Sequence, residues 1–239
     1  MKQKKGLIVG LIVALLAVFA VASVVGYKVF QQVRHRQALH ALTEELNKME
    51  GVISNQAFTD AESSQILDRT VSKGDYAVLE RAVKDHCKDL FAKQNEMTQY
   101  LEKNEIEQYL TPEALASDAP NFETTTQKLA EFRETEKNLR ESWLYLASEE
   151  GIRQYQSAQL KGDLKKLFDE YVENVTSSDV QSVIESDVAY YNQTMDAIGQ
   201  ALEYLKNNQS SWVMENGQIL FNTEESLNAY NAILSQIPE

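Results

Sequence analysis

Residues that interrupt helices are scarce in this chain. Its nine glycines and three prolines make up about 5% of the 239 residues, against roughly 12% in average proteins. A chain with so few breakers is expected to run in long helices. The single cysteine excludes an internal disulfide, and three histidines supply little material for a zinc cage or a histidine-based catalytic centre. We therefore predict an all-α fold without a metal or other cofactor.

Acidic and basic residues are unevenly distributed along the chain. The first 36 residues contain six basic and no acidic side chains, and because the whole chain carries −13, the remainder carries −19. An acidic body repels phosphate backbones and anionic lipid headgroups. We therefore expect neither nucleic-acid binding nor docking of the body on a membrane surface. The negative charge of the body would then serve either to bind a cationic partner or to keep the protein soluble.

An uncharged apolar segment occupies residues 6–27, between Lys5 and Lys28. Its 22 residues would form a helix about 33 Å long, which is enough to cross a bilayer. The sequence therefore predicts a basic lead at residues 1–5, a transmembrane anchor at 6–27 that ends at Tyr27, and a helical stalk at 28–50. The lipid bilayer is one expected partner.

Three small residues in the predicted span recur at every fourth position: Gly6, Gly10 and Ala14. Such a row lets a second membrane helix approach closely, which would support a homo-oligomer or another complex within the membrane. Small residues are also common in spans that only face lipid. Both interpretations stay open.

Cleavage and orientation of the span each have two alternatives. Ala20-Val21-Ala22 fits a signal-peptidase site, but the apolar run is longer than a usual signal peptide and continues into a helical pattern. We therefore expect an uncleaved signal-anchor. Basic residues flank the span almost equally, and the lysine-rich lead favours a cytoplasmic N-terminus. These features predict a single pass through the cell membrane and an extracytoplasmic body.

The body, residues 51–239, is predicted to be an elongated antiparallel helical bundle of four to six helices. The stalk helix is expected to stop at Gly51, and residues 59–62 have the spacing of a capping box. A second helix is expected over residues 75–110, followed by a cap at Thr111 and Pro112. Further breaks are expected at Pro120, Glu149-Glu150-Gly151, Lys161-Gly162-Asp163 and Thr176-Ser177-Ser178-Asp179.

Two apolar stripes with coiled-coil-like spacing mark helices that should pack on others. The first runs from Phe122 to Leu146, and its two polar members are Thr125 and Glu136. The second has the clearest periodicity and forms the predicted packing seam: Ile184, Val188, Tyr191, Met195, Ile198, Leu202 and Leu205. Beside the seam, Gly199 either permits close helix approach or weakens its helix by about 1 kcal/mol relative to alanine. The stripes belong either to one core or to two stacked sub-bundles.

One short segment departs from the helical pattern. Asn216 and Gly217 lie between two apolar runs, which is the strongest short-range signal for a tight β-hairpin, here over residues 212–221. An isolated hairpin is marginal in water, so we expect it to pack on the bundle through Trp212, Ile219 or Phe221. A final helix is expected after a cap at Thr223.

The sequence offers little catalytic chemistry. Histidine and cysteine meet only at His86-Cys87, where adjacent helical positions point about 100° apart, so the histidine is badly placed to activate the thiol. We interpret His86 and Asp89 as a helix-surface ion pair and Cys87 as a partly buried apolar residue. The sequence contains no phosphate-binding glycine loop, calcium-binding loop or nucleophile elbow.

We therefore predict a non-enzymatic, membrane-anchored protein that binds a protein partner as a scaffold, accessory subunit or envelope adaptor. Two alternatives remain. The body would be a ligand-binding sensor that signals through a membrane partner, or the chain would be secreted as a helical protein after cleavage at Ala22. A small-molecule site between helices would favour the sensor.

Overall fold

The computed structural model describes residues 33–54, 61–104, 106–215 and 218–237. None of the helices in these ranges combines the length and the apolar character that a membrane span needs. The predicted span at 6–27, with Gly6, Gly10, Ala14 and Tyr27, lies outside the described residues. The prediction of an anchor therefore remains a prediction.

The described residues form a mostly helical protein with one small antiparallel hairpin, as predicted. The first helices are α1 (Val33–Ser54), α2 (Ala61–Asp68), α3 (Asp75–Lys103), α4 (Pro112–Asp118) and α5 (Glu123–Leu146). They are followed by α6 (Glu149–Arg153), α7 (Gly162–Val175), α8 (Ser178–Asn207), strands β1 (Trp212–Glu215) and β2 (Gln218–Phe221), and α9 (Glu224–Leu234). Short 3-10 turns occupy Ile106–Tyr109 and Gln209–Ser211.

Two predicted helix ends are wrong. Helix α1 continues through Gly51 to Ser54, because one glycine lowers helix stability by only about 1 kcal/mol. Helix α3 ends at Lys103 rather than at residue 110. The Asn104 side chain donates a hydrogen bond to the Tyr100 carbonyl at 2.9 Å, and this local bond satisfies a carbonyl of the last turn.

Several helix starts follow the predicted capping chemistry. The hydroxyl of Thr111 accepts a hydrogen bond from the Ala114 backbone at 3.2 Å, with Pro112 as the first helical residue. Thr223 caps α9 in the same way. At the start of α7, Gly162 has a φ of +56°, a left-handed conformation that favours glycine.

The chain divides into two compact units. The first combines the described residues up to Met97 with Leu139–Glu185, and the second combines Thr98–Asn138 with Ser186–Glu239. Helices α3, α5 and α8 contribute residues to both units. Each of the two apolar stripes is divided between the units. Neither stripe therefore belongs to one unit alone.

In the second unit, Phe122 packs against Trp212 of the hairpin. Their rings stack with centroids 5.7 Å apart, and the Trp212 indole donates a hydrogen bond to the Leu205 carbonyl at 2.8 Å. Phe122 has a φ of +52°, which is unusual for a residue with a side chain, and its ring is completely buried. Burial of the ring compensates this backbone strain and attaches the hairpin to the helices through Trp212, as the sequence predicts.

The hairpin pairs its strands in register from Trp212 opposite Phe221 to Glu215 opposite Gln218. Two residues connect the strands, which is the length that Asn216-Gly217 predicts for a tight turn. The turn residues themselves lie outside the described residues.

Candidate functional site

Helix α3 carries a lysine that is almost completely buried. Lys84 is 1% exposed, and its ammonium uses all three donors. It donates to the Glu45 carboxylate at 2.7 Å and to the Arg69 carbonyl at 3.0 Å, and it lies 2.9 Å from the Glu80 carboxylate. A buried ammonium is stable only when it is paired in this way.

The two carboxylates around Lys84 are also fully bound. Glu45 accepts two parallel hydrogen bonds from the Arg69 guanidinium, at 2.7 and 2.8 Å. Glu80 accepts from the backbone amides of Val71 at 3.0 Å and Ser72 at 2.7 Å. We call Glu45, Arg69, Glu80 and Lys84 the ion network; its formal charges sum to zero.

Hydrogen bonds in the ion network outweigh the effect of burial on both acids. Burial would raise the pKa of Glu45, but the hydrogen bonds from Arg69 and Lys84 bring it below the usual range. Burial likewise opposes ionisation of Glu80, and the bonds from Ser72, Lys84 and Val71 lower its pKa. Both groups are therefore held as carboxylates, and the network ties α1 and the segment before α3 to the face of α3.

The sequence patterns single out neither Glu45 nor Lys84, although the structure places Glu45 at 2% exposure. A signal was present in α3: Glu80 and Lys84 lie four residues apart and continue at helical spacing into Cys87 and Phe91, which are buried. The partner residues Glu45 and Arg69 had no comparable signal.

A second buried polar group of α3 is His86, two residues after Lys84 and on a different face of the helix. Its Nε2 lies 2.9 Å from the Leu146 carbonyl, and its Nδ1 lies 2.5 Å from the Tyr171 hydroxyl. A carbonyl can only accept, so Nε2 carries the proton and Nδ1 accepts from Tyr171. The Tyr171 hydroxyl uses its only proton in the hydrogen bond to His86. The Cys87 thiol, 3.5 Å away, therefore donates a hydrogen bond to the Tyr171 oxygen.

We call Cys87, Tyr171, His86 and the Leu146 carbonyl the His86 chain, since its hydrogen bonds run in one direction. Burial lowers the pKa of His86, raises that of Tyr171, and raises the pKa of the Cys87 thiol to about 12. The thiol is therefore held in its protonated, weakly nucleophilic form.

The predicted surface pair of His86 and Asp89 is wrong. His86 is buried with both ring nitrogens bound to other groups, and Asp89 instead accepts a hydrogen bond from the Tyr155 hydroxyl at 2.6 Å. Burial and this bond raise the pKa of Tyr155. The spacing matches two residues on one helix, whereas the partners in the structure come from α5, α7 and the segment after α6.

The residues of the predicted packing seam lie on α8. Five are buried: Ile184, Tyr191, Met195, Leu202 and Leu205. Val188 and Ile198 are half-buried. Ile184 belongs to the first unit and the other six to the second. A Cβ built on Gly199 would meet no atom within 4 Å, so close helix approach is not the reason for this glycine.

Within the described ranges, no cluster of three or more metal-ligating side chains is present. Comparison of the chain with protein-family models, with curated proteins and with solved structures finds no match.

Proposed function

We propose that this chain is a single-pass membrane protein whose helical body, outside the cytoplasm, works by binding another protein as a scaffold, accessory subunit or adaptor. The observation that carries the proposal is the attachment of α1 by the ion network. Helix α1 follows the predicted span at 6–27, and Glu45 joins it to Arg69 and to Lys84 of α3. These ion pairs hold α1 against the body, so α1 is part of the folded first unit rather than a flexible linker.

A helical connection through residues 28–32, as the sequence predicts, would give the first unit a defined position relative to the bilayer. The 22 residues of α1 are about 33 Å long at 1.5 Å per residue. A flexible linker would instead allow the body to sample many heights and orientations. Positioning of this kind is useful to a protein that presents a surface to a membrane-associated partner.

The buried polar chemistry of the first unit also supports a binding role. The side chains of the ion network are paired with one another, and His86 has both nitrogens bound. Groups engaged in this way are held by the protein's own structure, which supports a binding rather than a catalytic role.

Carbonate extraction of membranes from cells that make the full chain tests the anchor. We expect the chain to remain in the membrane pellet with an intact mass that includes Met1. A variant with Leu15→Arg and Leu16→Arg should be lost from the pellet, because two charges at the centre of the span oppose insertion. A mature chain that begins at Ser23 would refute the anchor.

The position of the body is tested by adding a cysteine after Glu239 in a Cys87→Ser background. A membrane-impermeant thiol reagent should label this cysteine in intact cells. Labelling only after permeabilisation would place the body in the cytoplasm and overturn the proposed orientation. The Cys87→Ser background without the added cysteine is the control.

A further inference from the structure

Exposed apolar side chains are concentrated near the C-terminal end of the second unit. Among the described residues, six large hydrophobic side chains are exposed, and four of them lie between residues 213 and 234. These four are Val213 at 49%, Leu220 at 41%, Leu227 at 41% and Leu234 at 37% exposure. Scattered exposed apolar residues are ordinary, but a concentration of them is typical of an interaction surface.

Two of the four lie on one side of helix α9. Leu227 and Leu234 are seven residues apart, which places them on the same helix face, and the half-buried Tyr230 is rotated from them toward the inner side of the helix. The inner side of α9 is held by Tyr230 against Phe221 and Tyr204, with ring centroids 5.2 and 6.1 Å away. None of the 11 residues of α9 is buried, so much of its surface is open.

The other two form a cross-strand pair on the hairpin. Val213 lies opposite Leu220 in the strand register. The alternate residue Phe221 points to the aromatic cluster with Tyr204 and Tyr230, so Leu220 faces away from it. The hairpin therefore uses one face to attach itself and leaves apolar side chains exposed on the other.

The charge around these side chains has one sign. Residues 207–239 contain four acidic residues and no lysine or arginine. Three of the acids, Glu215, Glu224 and Glu225, are exposed. The second unit as a whole holds 16 acidic residues against five basic ones. An apolar surface with acidic surroundings complements an apolar segment with basic surroundings.

We propose that α9 forms a docking surface for a basic amphipathic helix of a partner protein, which would pack apolar residues on Leu227 and Leu234 and place lysine or arginine near Glu224, one turn before Leu227. The inference rests on the proposed binding function and names its surface. A second copy of the chain would bring the same acids and be repelled, and anionic lipid would be repelled likewise. A helix that offers apolar residues at this spacing is a common recognition element.

Site-specific photo-crosslinking tests the docking surface in the full chain. A benzophenone amino acid is placed at Leu227 or at Leu234, and in the control at Tyr145, a 43% exposed residue of the first unit. After irradiation of the cells that normally make the protein, the crosslinked segment is identified by mass spectrometry. We expect crosslinks at 227 and 234, at least five times more abundant than at 145, to a segment that is apolar and carries net positive charge.

Charge reversal supplies a second test. Glu224→Lys with Glu225→Lys should lower the crosslinking yield at 234 at least fivefold, whereas Glu173→Lys with Glu185→Lys, at exposed sites of the first unit, should leave it unchanged. Circular dichroism melting of each variant checks that it folds. Crosslinks to a second copy, to lipid or to an acidic segment would overturn the inference, as would a yield that charge reversal does not change.

The two proposals fail in different ways. Crosslinks to another protein at position 145 alone would refute the docking surface and leave the binding function in place. The absence of protein crosslinks at all three positions would also refute the docking surface.

Discussion

The ammonium of Lys84 lies 2.7 Å from the carboxylate of Glu45, although the two side chains are only 2% and 3% exposed. The residues are 39 positions apart in sequence and lie on different helices, α3 and α1. The pair therefore joins the stalk helix to the body. Its energetic importance follows from burial, because a charge that loses its partner in the interior is strongly unfavourable.

Replacement of Lys84 by methionine should destabilise the protein strongly. Methionine has a similar length but leaves two neighbouring buried carboxylates without their shared cation. We expect a loss of about 3 kcal/mol in the free energy of unfolding. Denaturant unfolding of the full chain in detergent, followed by circular dichroism, measures it.

Lys93 provides the matched control on the same helix. Its ion pair with Glu96 is 2.6 Å long, but the side chains are 39% and 51% exposed. Because water screens this pair, Lys93→Met should cost less than about 1 kcal/mol. An equal loss in both variants would contradict the structural importance of the ion network.

Stability should fall as the pH drops below about 6.5, the ordinary pKa of histidine. His86 has a lowered pKa in the folded state because of burial. The unfolded chain therefore binds the proton more readily between the folded-state pKa and the ordinary value, and protonation favours unfolding there. A single such group changes the free energy of unfolding by at most about 1.4 kcal/mol per pH unit.

Unfolding experiments from pH 7.5 down to 5.5 measure this slope. His86→Gln should cost stability at every pH but reduce the slope in this range. His40→Gln should retain it, because the His40 side chain is 73% exposed. Glu45 and Glu80 affect stability only at lower pH. Because their pKa values are lowered in the folded state, their contribution to the free energy of unfolding is lost only as the pH falls below about 4.5. An unchanged slope in His86→Gln would exclude His86 as its source.

The native protein should resist thiol reagents. Cys87 is completely buried, and burial raises the pKa of its thiol to about 12, so little thiolate exists at neutral pH. We expect labelling at pH 7.5 to be at least a hundredfold slower than in a denatured sample. Ser64→Cys in a Cys87→Ser background, an exposed position on α2, should label rapidly and serves as the control. Fast labelling of native Cys87 would contradict its burial.

Two glycines should respond to alanine in opposite directions. Gly199 lies inside α8 with no atom within 4 Å of an added Cβ, so Gly199→Ala should stabilise by up to about 1 kcal/mol. A Cβ on Gly151 would overlap the Tyr145 carbonyl, so Gly151→Ala should destabilise by more than about 1 kcal/mol. Thermal unfolding of both variants tests the pair, and a destabilised Gly199→Ala would contradict the open space beside α8.

Much of the helical pattern was predictable because its causes are local. Thr111 and Pro112 start a helix through bonds and dihedral preferences within four residues, and the paired strands of the hairpin follow from Asn216-Gly217 between apolar runs. Predicted ends were less accurate: Gly51 does not stop α1, and Asn104 ends α3 early. Helix ends depend on small energies that neighbouring contacts easily change.

The polar sites were decided by tertiary structure. The sequence by itself determined the helical class, the capped helix starts and the excess of acidic residues, since each depends on composition or on neighbours within a few positions. It did not determine that Glu45 would meet Lys84, or that His86 would meet Tyr171, 85 residues away. Whether a charged or titratable side chain is buried depends on which distant groups satisfy its hydrogen bonds, and only the folded chain brings those groups together.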